Sequence, residues 1–148
     1  MTISVSLTQL LRGVYADAAL MSASADAPAR PAILRHEHDL ALRRVAVSAW
    51  ATLMADILPF LALGEFTDGT SGEPDFLTVE IPDEAAGRNS GAIRLQLETA
   101  LERRILAIAY RSSAPEVSAA NDALASAALA ALTRLTSPEK IPAIRPWG

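Results

Sequence analysis

Residues 91–111 read GAIRLQLETALERRILAIAYR. Ile93, Leu97, Leu101, Ile105 and Ile108 recur there at steps of three and four, the period of one face of an α-helix. Leu95 and Leu106 widen the stripe, and Glu98 with Glu102 marks the wet side. Asn89 or Ser90 can cap such a helix, placing it from about Gly91 to Arg111, and Ser112-Ser113-Ala114-Pro115 breaks it. A chain with this pattern near its middle is helical first, and the flanks extend the theme.

Downstream, Glu116 to Thr136 predicts another helix, opened by an acid that suits the helix dipole and ended by Pro138. Val117, Ala120, Leu124, Ala127, Ala131 and Leu135 approximate a 3.5-residue seam, and its alanines let a neighbouring helix come close. Upstream, Ser6 with Gln9 three residues on is a capping-box pattern for a helix from about Leu7 to Ala23. Its stripe is Leu7, Leu10, Leu11, Val14, Ala18 and Met21, with Arg12 and Asp17 elsewhere. Ala27 to Pro31 interrupts the helix, since each proline disfavours helix in the residue before it. Pro31 can itself open the longest helix, from about Ala32 to Leu63.

The second half of that longest helix, with Trp50, Leu53, Met54, Ile57, Leu58, Phe60 and Leu61, is apolar around most of its circumference. Only Arg44, Ser48, Thr52 and Asp56 leave a polar strip, so this helix is expected at the centre of the molecule. Pro59 is a kink or terminator and Gly64 a C-cap. Glu65 to Pro74 reads as an exposed loop, and the alternation from Asp75 to Ile81 as a strand ended by Pro82. One strand cannot satisfy its own backbone. Its partner is Glu65–Thr70, Thr2–Val5 or another chain.

The expectation is a mainly α, four-helix bundle-like single domain over residues 1–137 with one short β element, followed by an extended, proline-containing tail over 138–148. The core should include Trp50, Leu53, Ile57, Leu97, Leu101, Ile105 and Leu124. The 148 residues are enough for such a core without staples. Aromatics are 5%, so that core must be aliphatic, which suits close-packed helices better than a β-sandwich.

Net charge −4 argues against a direct nucleic-acid partner. With no cysteine, neither a disulfide framework nor a thiolate site is available. The start, MTISVSLTQLLRGVY, lacks the positive region of a signal peptide. In the most apolar stretch, Val45 to Leu63, Asp56 and Pro59 favour a core helix over a membrane span, so the protein is expected in the cytoplasm.

Chemistry-bearing residues are few. His36-Glu37-His38-Asp39 holds metal-ligand types, but on a helix the two histidines point about 200° apart and cannot grip one ion. His36 or Arg35 pairs instead with Asp39 as a surface neighbour. The carboxylate pairs Glu98/Glu102 and Asp83/Glu84 read as wet faces, because acid–base work needs a recessed carboxylate with a shifted pKa. Ser112, Ser113 and Thr136–Ser137 have no histidine at any inferable distance, and the oxygens of Gly64–Pro74 do not fall at EF-hand spacing. No catalytic, cofactor-binding or metal residue is expected.

Two functions fit. One is a non-catalytic structural or interaction protein; the other is a small helical ligand-binding domain or enzyme with a pocket near Arg44 and Asp56. A strip Arg44–Ser48–Thr52–Asp56 lining a pocket with Glu98 or Arg103 favours the second, and a strip facing water favours the first. The tail adds a possible interaction site. At the three-residue period of an extended polyproline-like path, Ile141, Ile144 and Trp147 share one face that can pack on its own domain or dock on a neighbouring subunit, forming a homo-oligomer.

The order of parts resembles small prophage-encoded structural proteins of the head–tail or tail region in Bacteroidetes-type mobile elements. The resemblance spans Leu7–Tyr15, Trp50-Ala51-Thr52-Leu53-Met54, Val79-Glu80-Ile81-Pro82, Leu97–Tyr110, Ser113-Ala114-Pro115-Glu116 and Ile144-Arg145-Pro146-Trp147. It covers most of the chain as an arrangement, without a diagnostic motif. It implies an adaptor in virion assembly, with protein partners and no enzymatic site, and it carries over no site residue.

Overall fold

A computed structural model describes residues 2–23, 26–57, 64–66, 76–81 and 83–136, with the side chains of His36, Ile57, 64–66, 83–89 and Thr136 outside the description. The chain is mainly helical. It begins with strand β1 (Thr2–Ser6) and helix α1 (Leu7–Met21), then passes through two short 3-10 turns to α2 (Asp39–Ile57). Strands β2 (Gly64–Phe66) and β3 (Phe76–Glu80) follow, then α3 (Asp83–Tyr110) and α4 (Pro115–Thr136).

The strand expected from the alternation of residues 75–81 is the middle of a three-stranded antiparallel sheet, ordered β1-β3-β2. Two of the three offered partners are realised together: Thr2 faces Glu80 and Ser6 faces Phe76 on one side, and Phe66 faces Leu77 on the other. The alternation also sets the faces. Ile3, Val5, Leu77 and Val79 point into the core, and Thr2, Phe76 and Glu80 point to solvent.

β1 runs straight into α1, and the junction is the capping site read from sequence: the Gln9 amide donates to Ser6 Oγ at 3.3 Å while Ser6 keeps extended backbone angles. Leu7, Leu10, Leu11, Val14 and Ala18 are buried, with Met21 partly so.

Several expectations are corrected. The second helix starts at Asp39, not Ala32, because Arg35 adopts an extended conformation (φ −93°, ψ 143°) between the 3-10 turns Ala32–Leu34 and His36–His38. Its expected end, residues 58–63, lies outside the described residues, and Gly64 opens β2 instead of capping the helix. The third helix begins at Asp83, eight residues before Gly91. Gly87 and Gly91 each cost about 1 kcal/mol relative to alanine inside a helix, an amount that a helix anchored along its C-terminal two-thirds tolerates.

The centre of the molecule is α3 and not α2. α3 touches α1, α2, α4 and β1, whereas α2 leaves Leu40, Ala41, Ala51 and Ala55 exposed. On α3, Ile93, Leu97, Leu101, Ile105 and Leu106 are fully buried, and Ile108 partly. Leu95 is 59% exposed, since it lies about 200° around the helix from Ile93.

The last correction is the seam of α4. Ala120, Leu124 and Ala127, expected inside, are exposed, and Leu124 is therefore no core residue. The buried line runs one residue over, through Ala114, Ser118, Asn121, Ala125, Ala128 and Leu132. It keeps a strict alternation of four and three, but two of its members are polar. The remaining expected core residues Trp50, Leu53, Leu97, Leu101 and Ile105 are buried, and the side chain of Ile57 is not described.

Candidate functional site

The polar members of the α4 seam hold α3 and α4 in one antiparallel register. Ser118 Oγ donates to the Ala107 carbonyl at 2.7 Å. Arg103 Nη1 donates to Asn121 Oδ1 at 3.3 Å, and Asn121 Nδ2 satisfies itself on the Val117 carbonyl. Arg104 pairs with Asp122 at 3.1 Å. These bonds offset the desolvation that buried polar groups otherwise suffer.

Arg103 also reaches α1, where its Nη2 lies 3.7 Å from Asp17. The neighbouring Glu102 faces the same helix. A Cβ built on Gly13 would stand 3.0 Å from Glu102 Oε2, so the missing side chain is what lets the carboxyl lie against α1. Burial pushes Glu102 up to about 8, reinforced by its hydrogen bond to Asp17 and by the charge of that carboxylate. Glu98 acts in the same direction, and the Arg103 guanidinium opposes it. Glu98 and Glu102 were expected on a wet face; instead both are half-buried, and Glu102 belongs to the α1–α3 contact. An interior glycine in α1, one turn before Asp17, was the available sequence signal.

A second polar cluster pins α2 to α1. Tyr15 OH donates to Asp39 Oδ1 at 2.9 Å, Arg43 Nε to Asp39 Oδ2 at 3.0 Å, and Arg43 Nη2 to Thr8 Oγ1 at 3.2 Å. Burial, then the bond to Asp39, raises the Tyr15 phenol to about 12, which opposes any role as a phenolate nucleophile near neutrality. Asp39 thus pairs with Tyr15 and Arg43, and the side chain of one expected partner, His36, lies outside the described residues. His38 Nε2 lies 3.8 Å from Glu37. Among the described residues, no group of three or more His, Asp or Glu side chains stands where it could hold a metal ion.

The strip that separates the two functional classes faces outward: Arg44, Ser48, Thr52 and Asp56 are all exposed, and Thr52 Oγ1 donates to the Ser48 carbonyl within its own helix. Arg103, proposed as the far wall of a pocket with this strip, turns to α1 and α4. Among the described residues no helix is long and apolar enough to cross a membrane. The tail candidates Ile141, Ile144 and Trp147 lie outside the described residues.

No protein-family model, curated protein or solved structure matches this chain.

Two surfaces of different character result. One is the internal carboxyl pair Asp17–Glu102. The other is the outward face of α4, where Glu116, Ala119, Ala120, Ala123, Leu124, Ala127, Ala130 and Arg134 are all exposed.

Proposed function

We propose that this chain is a non-catalytic structural protein that acts by protein–protein contact, pairing with a second copy through the outer face of α4, in the manner of the virion-assembly adaptors it resembles. The observation that supports this is the position of Leu124: the helix's most regular apolar line, through Ala120, Leu124 and Ala127, is the one the single chain leaves in water. A large aliphatic group held half-exposed amid alanines suits a closely approaching partner helix.

The charges support a second copy as that partner. Glu116 and Arg134 are exposed and 18 residues apart, five whole turns or about 27 Å, so they share one side of the helix. An antiparallel pair of α4 helices brings each Glu116 to the Arg134 of the other copy, and each Leu124 to the small side chain of Ala127. Such an isologous contact closes on itself as a dimer. Ile141, Ile144 and Trp147 supply a further docking segment in the same reading.

Light scattering against protein concentration tests it. The wild type is expected to reach a dimer, and Leu124→Glu to stay a monomer with unchanged helical circular dichroism. Leu95→Glu, an equally exposed leucine on α3, should leave the dimer intact. A wild type that remains monomeric at high concentration, or a Leu124→Glu protein that still pairs, overturns the proposal. The adaptor role is tested by its gene neighbours: capsid, portal or tail genes support it, and a metabolic operon rejects it.

A further inference from the structure

The contact between α1 and α3, otherwise apolar, includes two carboxyl groups and has few ways to carry charge. Glu102 lies over the gap left by Gly13 and hydrogen-bonds Asp17. From α1 the groups facing Glu102 are Gly13 and Asp17; from α3 they are Glu98 and Arg103; α4 takes part through the bond of Asn121 to Arg103. Two carboxyl groups in contact share one proton, because two like charges at that separation repel strongly in a half-buried setting.

We propose that the Glu102 carboxyl, seated over Gly13 and against Asp17, forms a latch across the α1–α3 interface that loosens in alkaline solution and weakens the hold of α3 on α1. Glu102 carries the proton, and its hydroxyl hydrogen-bonds the Asp17 carboxyl. When base removes the proton, Arg103 is the one cation among the described residues that faces the pair, and it is already divided between Asp17 and Asn121. Glu98 adds a third acid on the same side. The repulsion acts across the contact that holds α1 down. β1 stays paired with β3 along its length, so the loosening is confined to α1.

The sign follows from linkage. In the folded chain Glu102 keeps its proton to about 8, whereas the unfolded chain releases it in the ordinary carboxylate range. The folded state therefore binds the extra proton between those limits. The stabilisation is complete below the ordinary range, falls as pH rises, and is spent above about 8.

Three measurements on the full chain decide it. In a carbon-13 NMR titration, Glu102 is expected to titrate near pH 8, and in Asp17→Asn its midpoint should fall toward the ordinary carboxylate range. In urea unfolding followed from pH 5 to pH 9, the wild-type unfolding constant should rise relative to that of Glu102→Gln by up to about tenfold per pH unit, levelling off above pH 8. Amide exchange corrected for intrinsic rate should show α1 losing protection at pH 9 in the wild type and keeping it in Glu102→Gln. A Glu102 that titrates in the ordinary range, parallel pH profiles for the two proteins, or α1 equally protected at pH 6 and pH 9 overturns the latch. If Glu102→Gln does not fold, the wild-type titration and exchange decide alone.

Discussion

Two leucines on α4, eight residues apart, separate the seam the chain uses from the seam its hydropathy advertises. Leu132 is fully buried against α3, and Leu124 is 50% exposed. Leu132→Ala removes buried methyl groups and leaves a cavity at a helix contact spaced by alanines, which relaxes poorly; the expected loss is about 3 kcal/mol, within the usual 2–5. Leu124→Ala removes the same atoms from a site already half in water and leaves no enclosed void. Half the transfer energy of the lost groups is about 1 kcal/mol, and alanine's better helix propensity returns a few tenths. With a urea m-value of roughly 2 kcal/mol per molar, the midpoint should fall by about 1.5 M for Leu132→Ala and by about 0.5 M or less for Leu124→Ala. The assay is equilibrium urea unfolding near pH 6, at a protein concentration low enough to keep the chain monomeric. Equal losses for the two variants would refute the assignment of the inner seam. Repeated at high concentration, the Leu124→Ala deficit should grow, because the wild type then gains stability from pairing and the variant gains less.

Other perturbations test the remaining links. Ser6→Ala should cost about 1 kcal/mol by freeing the Gln9 amide at the start of α1, read as a lowered urea midpoint with unchanged m-value. Tyr15→Phe should cost about 0.5–1.5 kcal/mol by removing the donor to Asp39. In absorbance titration of the wild type, one tyrosine should ionise near pH 12, a component absent from Tyr15→Phe. This phenol is raised in the folded state, so its contribution to stability is present below pH 10 and is lost as pH rises toward 12. Ser118→Val should destabilise more than its added apolar volume suggests, because it strands the Ala107 carbonyl and overfills the α3–α4 seam; thermal melts of Ser118→Val and Ser118→Ala measure the difference. Deleting residues Lys140–Gly148 should leave the helical signal nearly unchanged and reduce the mass seen by light scattering if Ile141, Ile144 and Trp147 bind a neighbouring subunit.

The candidate carboxyl pair was only half visible in sequence. Glu102 could be noticed as one of two acids a turn apart, yet periodicity assigned it to a wet face because nothing local tells which helix lies opposite. Gly13 and Asp17 are nearly ninety residues away, and a glycine inside an amphipathic helix signals close approach without naming what approaches. The Tyr15–Asp39–Arg43 cluster was hidden for a similar reason: its members fall on two helices joined by a segment whose proline-rich turns conceal how the helices are aligned.

What the sequence by itself determined is local. Helical periodicity, the Ser6 cap, the Pro28–Pro31 break and the alternation over 75–81 are properties of short windows, and they yield a mainly α chain with a small β element. Periodicity also placed the inner faces of α1 and α3; what only the tertiary structure decided is which face of α4 counts as inside. On α4 the apolar line through Ala120, Leu124 and Ala127 lost to a line carrying Ser118 and Asn121, since α3 offers the Ala107 carbonyl and the Arg103 guanidinium as partners. A hydropathy pattern prices a buried hydroxyl or amide without its hydrogen bonds, and those bonds come from residues distant along the chain. The same holds for α2, apolar enough to be central by composition yet second to α3 in the fold, because α3 packs against all three other helices and β1, whereas α2 packs against α1, α3 and the two 3-10 turns.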